Sequence, residues 1–94
     1  MPQENSVADL ILKLEKILEQ RYTRLFINSR FCFMKSTGEI FSVQQFPGED
    51  VIVVEYASNC AEAAMNRFED GDRFYLRDSS EETLIQHILA EIEE

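Results

Sequence analysis

The stretch that most constrains the fold is residues 50–76, DVIVVEYASNCAEAAMNRFEDGDRFYL. Val51, Ile52, Val53 and Val54 are consecutive β-branched residues followed by Tyr56, a pattern that suits a strand covered on both faces. Asn59 offers a helix N-cap, and Glu62 three residues later completes a capping box. Ala61, Ala64, Met65 and Phe68 then fall on one helical stripe. Gly71 stands where a helix can end in a left-handed residue. Residues 73–77 read as a strand, with Phe74 and Leu76 on one side and Tyr75 on the other. About fifteen residues separate the two strands, enough for a helix-bearing crossover. The last strand can therefore join in parallel, through a right-handed connection.

The rest of the chain supplies packing for this unit. After a polar tail (residues 1–5), Ser6 and Asp9 resemble a capping box. Val7, Leu10, Ile11, Leu14, Ile17, Leu18 and Tyr22 then recur at the spacing of an amphipathic helix. Leu12 breaks that pattern, projecting from the polar side. Residues 23–29 fit either a helix extension or a strand, because short apolar runs are not separated by period alone. Residues 30–35 (RFCFMK) read as a strand. Ser36-Thr37-Gly38 suits a hairpin loop with Gly38 left-handed. Residues 39–46 form the return strand, with Phe41 and Val43 facing one way and Ile40, Ser42 and Gln44 the other. Pro47-Gly48-Glu49 is a turn signal leading into the Val51 strand. At the C-terminus, Asp78, Ser79 and Ser80 offer caps, with a Ser79/Glu82 capping box. Leu84, Ile85, Ile88, Leu89 and Ile92 make the last stripe.

The expected architecture is a single α+β domain over residues 1–94, in the order α-β-β-β-α-β-α. Its sheet is four-stranded and mostly antiparallel, packed by three helices. Apolar residues on both strand faces require cover on both, from helices or from a second subunit. That requirement and the stray Leu12 point to a homodimer.

Charge is unevenly placed. Residues 1–46 carry six Lys/Arg against five Asp/Glu, whereas residues 47–94 carry three against thirteen. The balance disfavours nucleic acid or an anionic membrane as partner, since phosphate binding needs clustered positive charge. A partner protein with a basic surface is electrostatically favoured. Glu69, Asp70 and Asp72 near the end of the second helix, with Asp78, Glu81 and Glu82 at the start of the third, form one negative surface if those helix ends meet. No secretory pattern opens MPQENS, and the longest apolar runs are four or five residues. A cytoplasmic protein with reduced Cys32 and Cys60 is expected, both thiols standing at apolar pattern positions.

Motifs for chemistry are sparse. The single histidine, His87, lies on the polar side of its helix and has no cysteine pair for zinc. Glu69, Asp70 and Asp72 lack the alternating ligands of a calcium loop. Glu55 is the one charge in the most apolar strand; facing solvent near a sheet end, pairing with an arginine such as Arg30 or Arg73, or lining a pocket with Tyr56 would account for it. No phosphate loop or triad spacing occurs. No cofactor is expected.

In element order and acidity the chain resembles small bacterial interaction proteins, such as secretion chaperones and immunity proteins. That resemblance implies a non-catalytic domain that binds another protein. Two other functions are compatible with the residues: a small ligand-binding domain or enzyme with its pocket near Glu55 and Tyr56, and a purely structural homodimer.

Overall fold

The computed structural model describes residues 7–46 and 48–93. The polar tail, the Ser6 cap and Pro47 of the turn therefore lie outside the described residues. The elements are α1 (Val7–Leu18), β1 (Thr23–Ile27), β2 (Arg30–Met34), β3 (Ile40–Gln45), β4 (Val51–Ala57), α2 (Cys60–Ala64), β5 (Glu69–Tyr75) and α3 (Glu81–Glu93). A 3₁₀ turn, Leu76–Asp78, joins β5 to α3. The five strands form one sheet in sequence order, and every neighbouring pair is antiparallel.

The α+β class and three helices match expectation; the strand count and the direction of the last strand do not. Thr23–Ile27 is a strand, turned back onto β2 by Asn28 and Ser29, whose φ values are 52° and 66°. Two consecutive left-handed residues make the turn that the twist of a two-residue hairpin prefers. The return from β4 is also different. Five residues of helix advance the chain only about 7.5 Å, against about 23 Å for the seven residues of β4. α2 is too short to carry the chain back to the start of β4, so β5 pairs antiparallel.

Gly71 is accordingly not a helix stop: it lies within β5, and its backbone is not in the left-handed region. The stop is Asn66, at φ 61°. Its N–H donates to the Ala63 carbonyl, and the Arg67 N–H donates to the Glu62 carbonyl at 2.9 Å, the bond pair of a Schellman ending. The expected stripe of Ala61, Ala64, Met65 and Phe68 does not form. The helix ends before Phe68, and Ala63 is the residue it buries. Its N-terminus is as read: Asn59 Oδ1 accepts from the Glu62 N–H at 2.9 Å.

Strand alternation sorts the rest into two layers of packing. On one face Phe33, Phe41, Val43, Ile52 and Val54 are buried under Val7, Leu10, Leu14 and Leu18 of α1 and Leu84, Ile88 and Ile92 of α3. Both long helices thus cover the same face. They run in the same direction, since Lys13 pairs with Glu81 and Arg21 with Glu93, each at 2.8 Å. Tyr22 stands edge-on to Phe41 with centroids 5.1 Å apart. On the other face a smaller cluster of Cys32, Ile40, Ala57 and Ala63 is covered by α2 and Phe68. Gly38 is left-handed as expected, at φ 97°. α3 is capped by Ser80 rather than Ser79: the Thr83 N–H donates to Ser80 Oγ at 3.2 Å.

Candidate functional site

Glu55 is held by Arg30, one of the two candidate arginines, rather than by Arg73. The Arg30 guanidinium also lies 4.5 Å from the Phe68 ring centroid and reaches Asn66 Oδ1 at 3.4 Å. Asn28 adds a second tie, its Nδ2 donating to the Ala63 and Ala64 carbonyls at 3.2 and 2.7 Å. Together these contacts clamp the end of α2 onto the sheet, so Glu55 and Arg30 are engaged in positioning that short helix. Nearby, buried Ser42 donates its hydroxyl to the Phe31 carbonyl at 3.1 Å.

Tyr56 faces the opposite side. Its hydroxyl donates to Glu91 of α3, whose other oxygen accepts the Asp72 N–H at 3.0 Å. Burial, then the hydrogen bond to Glu91 and its charge, push the Tyr56 hydroxyl well above the ordinary tyrosine range. A cleft of about 310 Å³ lies beside Tyr56, lined also by Glu39, Glu62, Arg67, Phe68 and Glu69. It is ringed by charge, and Glu55 takes no part in it. The expected Glu55–Tyr56 pocket is thus divided between the two faces of β4, as alternation along a strand requires.

The remaining titratable candidates are dispersed. His87 is exposed. Cys32 is buried, and burial raises its thiol pKa, which disfavours the reactive thiolate. Cys60, expected in an apolar environment, is exposed at the start of α2; both thiols are free. No group of three or more His, Cys, Asp or Glu among the described residues is arranged to hold a metal ion. No helix among them is long and apolar enough to cross a membrane.

The six carboxylates fall into two groups. Asp78, Glu81 and Glu82 stand at the N-terminal end of α3. Glu69, Asp70 and Asp72 lie on β5 beside Glu91, near the other end of that helix. Ten helical residues span about 15 Å, nearly two Debye lengths at physiological salt, about 8 Å each. The groups therefore act as separate patches. Glu81 is further occupied by Lys13 at 2.8 Å.

No protein-family model, curated protein or solved structure matches this chain.

The side of the molecule that sequence reasoning half saw is that of β1. The exposed large apolar side chains among the described residues are Leu12, Phe26, Phe31 and Met65. The first three gather on one side. Phe26 and Phe31 lie opposite each other in the β1–β2 pair, with ring centroids 5.0 Å apart. Phe31 and Leu12 both line an open groove of about 500 Å³, together with Ile11, Glu15 and Val43. α1 packs mainly over β3 and β4, and Phe31 of β2 stays exposed beside it. Arg24 stacks its guanidinium 3.9 Å from the Phe31 centroid and pairs with Glu19 at 3.0 Å. In the sequence Leu12 is the signal of this surface; Phe26 belongs to a face only because residues 23–27 form a strand.

Proposed function

We propose that this chain is a non-catalytic protein-binding domain that works through its β1 side. The observation that carries the reading is that Leu12 and Phe31, 57% and 41% exposed, line one groove, and that Phe26, 63% exposed, packs its ring against Phe31. Aromatic side chains desolvated at the centre of a contact are the usual anchors of protein recognition. Arg24, already stacked on Phe31, adds a planar cation at the rim.

A photo-crosslinking residue in place of Leu12, in the native cell, tests this directly. A discrete protein adduct that Phe26→Ser abolishes is expected. An adduct that forms instead from the same reporter at Asp70, and never from position 12, contradicts it.

That second result would favour a partner with a basic surface, bound at the β5 side. The exposed Glu69, Asp70 and Asp72, with Glu91 beside them, support this alternative. An attraction of that kind speeds encounter and weakens with salt.

A further inference from the structure

The sheet has two edges of opposite character. β5 carries Glu69, Asp70, Asp72 and Arg73, and its pairing with β4 is interrupted between Val53 and Glu55. Charge and irregularity of this kind keep an edge from pairing with another chain. β1 reads TRLFI, pairs with β2 without interruption over all five residues, and has no strand on its outer side among the described residues. One edge is guarded and the other is open.

We infer that a second copy of this chain pairs with β1, antiparallel, across a twofold axis at Leu25, giving a continuous ten-stranded sheet. The inference rests on the reading of the β1 side as the binding face, and names its occupant. Ile27 and Arg30 bracket a two-residue turn, so they form a hydrogen-bonded pair. By alternation Thr23, Leu25 and Ile27 direct their backbone groups to β2, while Arg24 and Phe26 direct theirs outward. With Leu25 on the axis, Arg24 of one copy meets Phe26 of the other, and the outward N–H and C=O groups close two hydrogen-bonded pairs. This register overlaps the whole strand; a shift of two residues toward the N-terminus would set Arg24 against Arg24, and like charges directly opposite are unfavourable.

The side chains fit the same register. On the helix-covered face, each Arg24 guanidinium comes beside the second copy's Phe26 ring, repeating the contact it already makes with Phe31. On the other face Leu25 meets Leu25, and Thr23 faces Ile27. Charge agrees as well: residues 1–46 carry six cations against five anions, and the acidic excess lies in residues 47–94. In the paired sheet the two β5 edges are nine strand spacings apart, about 43 Å, where salt screens their repulsion.

The test is sedimentation equilibrium of the purified full chain. Five-residue strands make a contact smaller than a standard interface, so the series runs from about 1 µM to about 1 mM. The mass is expected to rise from 11.0 kDa toward twice that value. Phe26→Lys, which sets a lysine against the second copy's Arg24, should stay at the monomer mass throughout. Arg24→Glu combined with Phe26→Lys should regain the dimer; both positions are exposed, and circular dichroism checks that the fold persists. A wild-type mass of 11.0 kDa at every concentration, or a dimer indifferent to Phe26→Lys, overturns the inference. A double variant that stays monomeric overturns the register. If the wild type is monomeric yet position 12 still crosslinks to a different protein, self-pairing fails and the binding face stands.

Discussion

Replacing Gly71 with alanine should destabilise the fold through crowding, and the structure says against what. A Cβ built there falls 2.5 Å from Glu91 Oε2, 3.1 Å from its Cδ and 2.9 Å from Tyr56 Cε2. The methyl group therefore lands on the junction of β4, β5 and α3, where Glu91 accepts from both the Tyr56 hydroxyl and the Asp72 N–H. Glu91 can swing outward, but only by giving up those bonds. A hydrogen bond to a charged group contributes about 1.5–3 kcal/mol, less at this half-buried position. Removing a glycine from the unfolded chain offsets about 0.4–1 kcal/mol. The net expectation is a loss of about 1–2 kcal/mol, or about 5–10 °C in Tm, read from chemical and thermal denaturation. In a Glu91→Ala background the penalty should fall by about 1 kcal/mol, because the carboxylate that obstructs the methyl group is gone. Gly71→Asn separates this mechanism from a backbone one. Asparagine tolerates left-handed φ, so a left-handed requirement makes it milder than alanine, whereas crowding makes it worse. An alanine variant as stable as wild type, or equally costly in both backgrounds, would refute the reasoning.

Two further outcomes follow from local geometry. The Tyr56 hydroxyl titrates above its ordinary value of 10.0 when folded, so above that pH the unfolded chain releases a proton that the native state keeps. Stability should fall as pH rises past about 10; Tyr56→Phe should remove that part of the slope in denaturation curves, and equal slopes would deny the buried Tyr56–Glu91 bond. Ser29→Gly should stabilise the chain by about 0.5–1 kcal/mol, since Ser29 holds φ 66° in a turn that favours Asn-Gly. A lowered denaturation midpoint in that variant would mean the β1–β2 turn is not of this type.

Which elements could be read from the sequence followed how strongly burial stamped them. α1 and α3 bury long side chains on one stripe and face water elsewhere, so their periodicity predicts Leu10, Leu14, Ile88 and Ile92 in the core, where they lie. β3 and β4 sit inside the sheet with both faces buried, so near-continuous buried runs rather than alternation mark them. The two edge strands carry no such stamp. β5 has one unpaired side, tolerates EDGDR, and so resembles a loop around a glycine. β1 is held by an Asn-Ser turn, a far weaker signal than Asn-Gly, and its five residues leave no period to measure. The candidate site was obscured for the same reason. Without β1 there was no face to which Phe26 belonged, and Leu12 stood as a lone exposed leucine. The Arg30–Glu55 pair was legible because a carboxylate in an apolar strand needs a partner. The two acidic groups look contiguous in sequence, but the extended remainder of β5 after Asp72 and the turn that follows set them near opposite ends of α3.

The open β1 edge is tested most directly by amide hydrogen exchange, residue by residue, at low and high protein concentration. Arg24 and Phe26 are the residues whose outward N–H groups pairing would engage. Their exchange should slow at least about tenfold between about 10 µM and about 1 mM, while Asp70 and Asp72 on the guarded edge keep a constant rate. Arg24 and Phe26 amides that exchange equally fast at both concentrations, or protection that arises on β5 instead, would contradict the account.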